Sequence, residues 1–179
     1  MIKKSLFLVK KENNNTLFWN QIASPVGDVF FVWRKEGVLM VSFLEEDYEK
    51  KMSDFIKSDF TFIRASSHVG KQLKEYFRGE RKKFDIDLVI NGSPYQKKVW
   101  EELLKVPYGK TVSYGELAKR IGNPKGSRSV GMAVHFNPIG IIIPCHRVIM
   151  SSGKIGGYAG GVDKKRWLLL HEKSFGLVK

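Results

Sequence analysis

A change of pattern at residues 91–94, Asn-Gly-Ser-Pro, divides this chain of 179 residues into two unlike halves. Before it, short apolar runs alternate with turn residues, as in strands, whereas after it apolar residues recur mostly at helical spacing. Gly, Ser and Pro together interrupt either pattern. The sequence therefore predicts an α/β protein with two parts, an N-terminal α/β domain at residues 1–91 and a C-terminal domain at residues 92–179.

The N-terminal half is predicted to contain an antiparallel sheet. Three β-rich runs separated by turn residues predict a meander of strands at residues 16–23, 29–34 and 38–44. The pattern that follows predicts helices at residues 45–58 and 66–78 and one more strand at residues 84–90.

The C-terminal half contains two short helical patterns around a glycine-containing turn. A helix at residues 94–106 comes first, and shorter helices follow, at residues 114–121 and from Ser127 to just before residue 137. Ser113 and Glu116 are spaced as a capping box, and Ser127 is placed to cap the next helix. The pair predicts a helix-turn-helix unit, with an ordinary helical hairpin as the alternative.

Basic and hydroxyl side chains cluster where the second of these short helices begins. They are Lys125, Ser127, Arg128 and Ser129. At a helix start, free backbone N–H groups and basic side chains can meet phosphates together. The whole chain carries 31 Lys and Arg against 18 Asp and Glu, a net charge of +13, which also favours a polyanion. A generally lysine-rich proteome or a solubility effect would also explain the net charge, so it is the placement of the basic residues at a helix start that favours DNA.

Cys145 is the only cysteine, and Pro144, His146 and Arg147 flank it within an apolar run at residues 141–149. It has no second cysteine with which to form a disulfide. A buried free cysteine is often only a small hydrophobe, but a thiol of reference pKa about 8.5 needs polar neighbours to ionise near neutrality. The sequence thus predicts a nucleophile at Cys145.

The composition predicts a soluble intracellular protein. No run approaches the ~20 apolar residues of a membrane span, and the N-terminal apolar segment is too short for a secretion signal. One unpaired cysteine fits a reducing compartment. We expect a cytoplasmic protein, or a nuclear one if the host is eukaryotic, without a membrane partner.

Sequence blocks spread over nearly the whole chain resemble the O6-alkylguanine-DNA alkyltransferases, that is, the methylated-DNA–protein-cysteine methyltransferases. They are Ser-Pro-Val-Gly at 24–27, Tyr-Gln-Lys-Lys-Val-Trp at 95–100, Val-Pro-Tyr-Gly-Lys-Thr-Val-Ser-Tyr at 106–114, Asn-Pro at 123–124, Arg-Ser-Val-Gly at 128–131, Asn-Pro at 137–138, Pro-Cys-His-Arg-Val at 144–148, Gly-Tyr-Ala-Gly-Gly at 157–161 and Trp-Leu-Leu-Leu-His-Glu at 167–172.

The resemblance implies a winged-helix-like C-terminal domain that binds double-stranded DNA and flips an O6-alkylguanine out of the stack. Cys145 would then accept the alkyl group, with His146 acting as its base through a water and Glu172 orienting His146. Tyr114 would crowd the 3′ phosphate and give a proton to the leaving guanine. Arg128 would take the place of the flipped base.

The resemblance also implies a pocket around the flipped base. Its residues would be Tyr158, Ala159 through its backbone N–H, Val148 and Asn137, the last bracing a turn. No cofactor is implied, because DNA supplies the alkyl group, and no metal is expected, because the first domain lacks the cysteines that hold zinc in some relatives. The protein would act once, as a monomer.

Two other functions stay open at this point. A lesion-sensing or helix-turn-helix protein without chemistry would bind DNA alone, although such relatives replace the cysteine. A cysteine hydrolase could use Cys145 and His146, but neighbours on a strand point to opposite faces, so His146 would need a water or a bend to reach the thiol.

Overall fold

The computed structural model of the protein describes residues 15–43 and 60–173, and within these ranges it contains two sheets and five helices. The strands are β1 (Thr16–Ile22), β2 (Val29–Arg34), β3 (Gly37–Phe43), β4 (Thr61–Arg64), β5 (Val112–Ser113) and β6 (Val148–Ile149). The helices are α1 (His68–Phe77), α2 (Pro94–Leu104), α3 (Tyr114–Arg120), α4 (Ser127–His135) and α5 (Val162–His171), and a 3-10 turn spans Cys145–Arg147. This mixed architecture confirms the predicted α/β class.

The larger sheet has the order β3-β2-β1-β4. The three strands of the predicted meander pair antiparallel, with bounds within a residue of those predicted. β4 was not predicted and pairs in parallel with β1. Three of its four residues are exposed, so no apolar alternation marks it in the sequence. The helix predicted at residues 45–58 lies outside the described residues.

A bulge in β3 turns its two ends toward the same core. The register with β2 shifts between Val32 and Trp33, which leaves Leu39 as an extra residue. Val38 and Val41 therefore both face the main core although they are three positions apart, while Leu39 packs in a smaller cluster on the other side of the sheet.

The prediction of a strand at residues 84–90 is wrong. The segment makes a single bridge to β3, in which Val38 donates to the Asp87 carbonyl at 2.8 Å and accepts from the Val89 N–H at 2.8 Å. Phe84, Ile86, Leu88 and Ile90 nevertheless pack against the main core. Alternating burial here comes from packing of an extended segment, without a hydrogen-bonded ladder.

The helix caps differ from those predicted. The complete capping box lies at α2, where Ser93 and Gln96 bond each other's backbone. At α3, Ser113 accepts from the Glu116 N–H at 3.1 Å, but the Glu116 carboxylate pairs with Arg120 instead of reaching back. The predicted box is therefore only half formed, since an exposed i,i+4 ion pair competes for the same carboxylate.

Ser127 does not cap α4 as predicted, because Gly126 holds that position and Ser127 is the first helical residue. α3 and α4 pack against each other around the turn at residues 121–126, as a helix-turn-helix unit does. No helix among residues 15–43 and 60–173 is long and apolar enough to cross a membrane.

One continuous apolar cluster joins the two halves of the chain. It includes Phe31 and Leu73 from the N-terminal half and Trp100, Leu117 and Leu168 from the C-terminal half. The domain boundary after residue 91 stays a prediction, because this cluster crosses it.

Candidate functional site

The apolar run around Cys145 folds as tight turns and not as the strand its composition suggested. Ile141 has a φ of 69°, a left-handed conformation that is rare for a β-branched residue. Cys145–Arg147 then form a 3-10 turn, and only Val148 and Ile149 pair, in parallel with β5. Because side chains in such a turn fan out about a third of a circle apart, Cys145 and His146 do not lie on opposite faces of a sheet.

The Cys145 thiol borders a small cavity between the two halves of the chain. Cys145 is 6% exposed, and the cavity has a volume of about 50 Å³. Its walls come from the end of β3, from residues 135–141 and from residues 158–160. Burial raises the pKa of the thiol, and contacts with Asn137, Lys165 and Tyr158 only partly offset this. The resting site therefore holds a neutral thiol near pH 7.

Glu172, which directly follows α5, lies buried at the centre of a hydrogen-bond network. Its Oε1 accepts from the Tyr76 hydroxyl at 2.8 Å, from Nε2 of His146 at 2.9 Å and from Nη2 of Arg147 at 2.9 Å. Its Oε2 accepts from Nε of Arg147 at 2.9 Å and from the Gly109 N–H at 3.1 Å.

The Glu172 carboxylate is ionised in this network. Burial by itself would raise the pKa of the carboxyl, but hydrogen bonds and charges from His146 and Arg147 outweigh burial and hold the pKa far below its usual range. An anion at this point holds Arg147 by a bidentate contact, and it fixes the orientation of His146.

The network also fixes the tautomer of His146. Because ionised Glu172 can only accept, Nε2 of His146 is the donor, and Nδ1 carries the open lone pair. Burial lowers the pKa of His146, although the contact with Glu172 opposes this, so the ring is neutral near pH 7. Nδ1 is buried and has no hydrogen-bond partner among the described residues. Such a nitrogen can accept a proton.

The sequence predicts Arg147 as one of the polar neighbours that help the Cys145 thiol to ionise, but its guanidinium does not interact with the thiol. Its guanidinium is bonded to Glu172 on one side and donates from Nη1 to the Val106 carbonyl at 2.6 Å on the other. Arg147 therefore serves the Glu172 network, and the cation that interacts with Cys145 is Lys165.

Sequence reasoning missed Lys165. This residue of α5 is fully buried, and its Nζ donates to the carbonyls of Val148 at 2.6 Å and of Gly157 at 3.0 Å. Burial lowers the pKa of Lys165 to about 8, and the Cys145 charge opposes this. Lys165 thus ties the strand after Cys145 to the loop that walls the cavity and adds positive charge beside the thiol.

The signal for Lys165 was present in the sequence. Leu168 and Leu169 follow Lys165 at three and four positions, so Lys165 shares the apolar face of α5. It was overlooked because the neighbouring residues Lys164 and Arg166 are also cations, so that the three together resemble a charged surface. Tyr76 lies on the buried face of its helix, yet no local pattern could reveal a partner 96 positions away.

Asn137, Ala159 and Val148 take different places around the thiol. Asn137 donates from Nδ2 to the Ile143 carbonyl at 2.8 Å and accepts from the Ile139 N–H at 3.0 Å, so it braces the turn before Cys145 and also lines the cavity. Ala159 lines it too. Val148 is buried in β6 and is not among the residues that line the cavity.

Tyr114 lines a second cavity, of about 140 Å³, that adjoins the first. Tyr158 and Ala159 border both cavities. Tyr114 lies at the start of α3, and its ring is close enough to Gly156 that a Cβ there would lie 3.5 Å from it. Burial raises the pKa of the Tyr114 phenol, and the Cys145 charge raises it further. Tyr114 therefore keeps its proton near the thiol.

The predicted DNA-contacting side chains surround the start of α4. Lys125, Arg128 and Ser129 are exposed and Ser127 is half-buried. The Ser129 hydroxyl donates to the Gly126 carbonyl at 2.9 Å, and the side chain of Arg128 beside it is exposed. One and two turns further along the same face, Met132 and Phe136 are each 56% exposed. This surface combines a cation with apolar side chains.

A larger cavity, of about 580 Å³, lies between β1 and α1. Cys145, His146 and Tyr114 do not line it, so the candidate nucleophile has no access to this larger cavity. Within the described ranges, no three His, Cys, Asp or Glu side chains are grouped as metal ligands would be.

Comparisons with known proteins agree on one family. A family model described as the DNA binding domain of 6-O-methylguanine DNA methyltransferase matches residues 94–174. A Methanosarcina acetivorans protein named methylated-DNA–protein-cysteine methyltransferase is 44% identical over 158 residues, which cover 88% of this chain and 99% of that protein.

Solved structures from Mycobacterium tuberculosis are also similar. The O6-methylguanine methyltransferase structure has a TM-score of 0.79 and 41% identity, covering 91% of this chain and 96% of that one. A structure of OGT in complex with DNA has a TM-score of 0.77 and 40% identity, covering 88% and 94%. With such identity over almost the full length of its relatives, this chain belongs to the methylated-DNA–protein-cysteine methyltransferase family.

Proposed function

We propose that this protein repairs DNA by moving the alkyl group of an O6-alkylguanine onto the sulfur of Cys145, irreversibly and once per molecule. The observation that carries the proposal is a free thiol at a cavity, next to a buried His146 that Glu172 holds in one tautomer. Relatives with 40–44% identity carry the name of this activity. No cofactor enters, because the substrate brings the alkyl group.

The bonds and protons balance within the site. The S–C bond forms as the bond between the alkyl carbon and guanine O6 breaks, and the electron pair of that bond stays on the guanine. His146 takes the thiol proton through a water at Nδ1, the buried atom that has no partner among the described residues. Tyr114 gives a proton to the leaving guanine, and its raised pKa keeps that proton available.

A neutral resting thiol fits this proposal. A thiolate exposed to small electrophiles would be consumed before it met a lesion, whereas burial keeps the pKa of the Cys145 thiol raised in the free protein. The ammonium of Lys165 and the Tyr158 and Asn137 side chains then favour the anion as it forms.

Double-stranded DNA carrying the lesion is the proposed partner, and α4 is the proposed contact. Lys125, Ser127 and Ser129 meet phosphates, and Arg128 enters the stack where the base has left. The DNA complex of a relative with 40% identity supports this, as does the net charge of +13. The cavity that Tyr114 lines leads from α4 toward the thiol, so it is the proposed route of the flipped base.

We further propose that the protein works as a monomer in the cytoplasm, or in the nucleus of a eukaryotic host. One chain carries every residue that the chemistry requires, and a cysteine that must stay reduced suits a reducing compartment. In this scheme residues 92–179 carry DNA binding and chemistry as one domain. Tyr158, Ala159 and Asn137 line the pocket of the base, while Val148 lies behind it in β6 and its carbonyl holds Lys165.

A single-turnover assay tests the proposed function. The protein is mixed with a duplex in which one O6-methylguanine carries a labelled methyl group, and tryptic peptides are then weighed. We expect one label per protein, on the peptide that contains Cys145, and none in the Cys145→Ala variant, which should still bind DNA. Binding without labelling would favour the lesion-sensing alternative, and labelling of the alanine variant would exclude Cys145 as the acceptor.

A further inference from the structure

We propose that Phe43, at the end of β3, sets the largest alkyl group that the Cys145 site accepts, so that the N-terminal half of the chain determines the substrate range. The inference rests on the proposed alkyl transfer and adds to it a residue outside the resembling sequence blocks. Phe43 lines the same small cavity as Cys145 and is 6% exposed.

The wall that Phe43 forms is closely packed. A Cβ built on Gly160 would lie 3.0 Å from Cδ2 of Phe43 and 3.0 Å from Cε1 of Tyr158, closer than ordinary contact. Both rings therefore lie close over Gly160, and a methyl group on that residue would force them to shift by a few tenths of an ångström. Nζ of Lys164 lies 5.3 Å from the centre of the Phe43 ring and gives it a further contact from α5.

The backbone of β3 is fixed against the segment that leads to Cys145. Val41 donates to the Pro138 carbonyl at 3.0 Å and accepts from the Gly140 N–H at 2.8 Å. A Cβ on Gly140 would lie 3.1 Å from the Val41 carbonyl oxygen, so a glycine permits this close approach. Phe43 cannot retreat with its strand unless these two hydrogen bonds break.

Because the cavity is small, the wall that Phe43 forms limits the size of the alkyl group that can lie against the sulfur. About 50 Å³ is far below the ~300 Å³ of the smallest usual ligand pockets, so a wall must move when a base enters. The loop at residues 156–161 is the wall suited to move, because it carries a glycine at each end, Gly156 and Gly161, and the hydrogen bond from α5 to its Gly157 carbonyl comes from the long, flexible side chain of Lys165. Strand β3 is not suited to move, because Val41 makes two backbone hydrogen bonds, one to residue 138 and one to residue 140. An alkyl group held against the sulfur therefore contacts two walls. The loop at residues 156–161 can shift to make room for it, whereas Phe43 stays in place.

The test compares two adducts in the Phe43→Ala variant. Single-turnover rate constants are measured with duplexes that carry O6-methylguanine or O6-benzylguanine, and the benzyl-to-methyl ratio is compared with that of the unaltered protein. We expect the ratio to rise about ten-fold or more, because pocket contacts of this size discriminate by such factors. Phe43→Trp should lower it.

Two further variants keep the test decisive. Phe62→Ala removes the same side chain from β4, where Phe62 packs against the other cluster, and it should leave the ratio unchanged. Phe43→Leu substitutes for the alanine variant if circular dichroism shows that Phe43→Ala is unfolded, and a smaller rise is then expected.

The outcomes separate the two proposals. An unchanged ratio in a folded Phe43 variant that still transfers methyl overturns the role of Phe43 alone. An equal rise in Phe62→Ala also overturns it, since loosening anywhere in the sheet would then suffice. If the unaltered protein transfers neither group, the proposed function fails, and this inference fails with it.

Discussion

The Tyr76 hydroxyl, on a helix of the N-terminal half, donates a 2.8 Å hydrogen bond to Oε1 of Glu172, the carboxylate that orients His146. Both groups are buried. Burial first, and then the Glu172 charge, raise the pKa of Tyr76 well above its usual value. The hydroxyl therefore stays protonated and acts as a hydrogen-bond donor throughout the physiological pH range. The N-terminal half thus takes part in holding the proposed base.

Replacing Tyr76 with Phe tests that link. Loss of a hydrogen bond to a buried charge should lower the free energy of unfolding by about 1.5–3 kcal/mol, as urea denaturation would measure. Glu172 keeps its other donors, so methyl transfer should slow only several-fold. Tyr108→Phe is the control, because that hydroxyl makes a weak 3.4 Å contact with the His171 carbonyl and should cost little. Equal losses in the two variants would mean that the Glu172 bond contributes nothing special.

Glu172→Gln should be far more damaging than its size suggests. The amide keeps the shape but removes the charge that holds Arg147 and the His146 tautomer, so an unpaired buried guanidinium should cost about 3–5 kcal/mol of stability. Where the protein is still folded, methyl transfer should fall by about 10²-fold or more. Glu102→Gln, which disrupts a pair with the exposed Lys105, should change neither. Transfer within a few-fold of the unaltered rate would remove Glu172 from the proposed mechanism.

The buried thiol predicts an unusual pH dependence in the free protein. Because burial raises the pKa of Cys145, the thiolate fraction at pH 7 is smaller than for an ordinary thiol of pKa about 8.5. Alkylation by iodoacetamide should therefore be slow at neutral pH and should rise with pH to an apparent pKa above 8.5. A short unfolded peptide containing the same cysteine is the reference. Reaction at pH 7 faster than in the peptide would show a depressed pKa and contradict the structure.

The raised pKa of the Cys145 thiol also predicts that the stability of the folded protein falls as pH rises, whereas the reactivity of the thiol increases. Between the pKa of the thiol in the unfolded chain and its higher value in the folded protein, the folded state holds more protons. The contribution of Cys145 to stability is thus fully present below about pH 8.5 and is lost as pH rises through the folded value. The difference in stability between the unaltered protein and Cys145→Ala should shrink over this range.

Arg128→Ala should separate base extrusion from chemistry. Arg128 is exposed on α4 and does not line the Cys145 cavity, so its loss should leave reaction with free O6-methylguanine base nearly unchanged. Reaction with the lesion in duplex DNA should slow by about ten-fold or more, at the scale of one specific DNA contact. Lys97→Ala, which removes a cation from α2, should have a smaller effect. Equal losses on base and duplex would contradict the role proposed for Arg128.

The sequence by itself determined the elements whose patterns are local. Alternating runs with turn residues specify β1 to β3, and apolar residues at helical spacing specify α1 to α4, because these periods follow from the geometry of each element. The sole cysteine, with a proline, a histidine and an arginine beside it, likewise singles out Cys145 as the candidate nucleophile.

Only the tertiary structure decided what each of these residues contacts. It assigned Arg147 to Glu172 and Lys165 to the carbonyls of Val148 and Gly157. It folded residues 145–147 of the apolar run as a 3-10 turn, and it brought Phe43 to the cavity. These contacts join residues far apart in the chain, and the pKa of a group depends on burial and on charges that meet it only in the folded state. A sequence pattern reports periodicity along the chain, and it carries no record of such distant pairings.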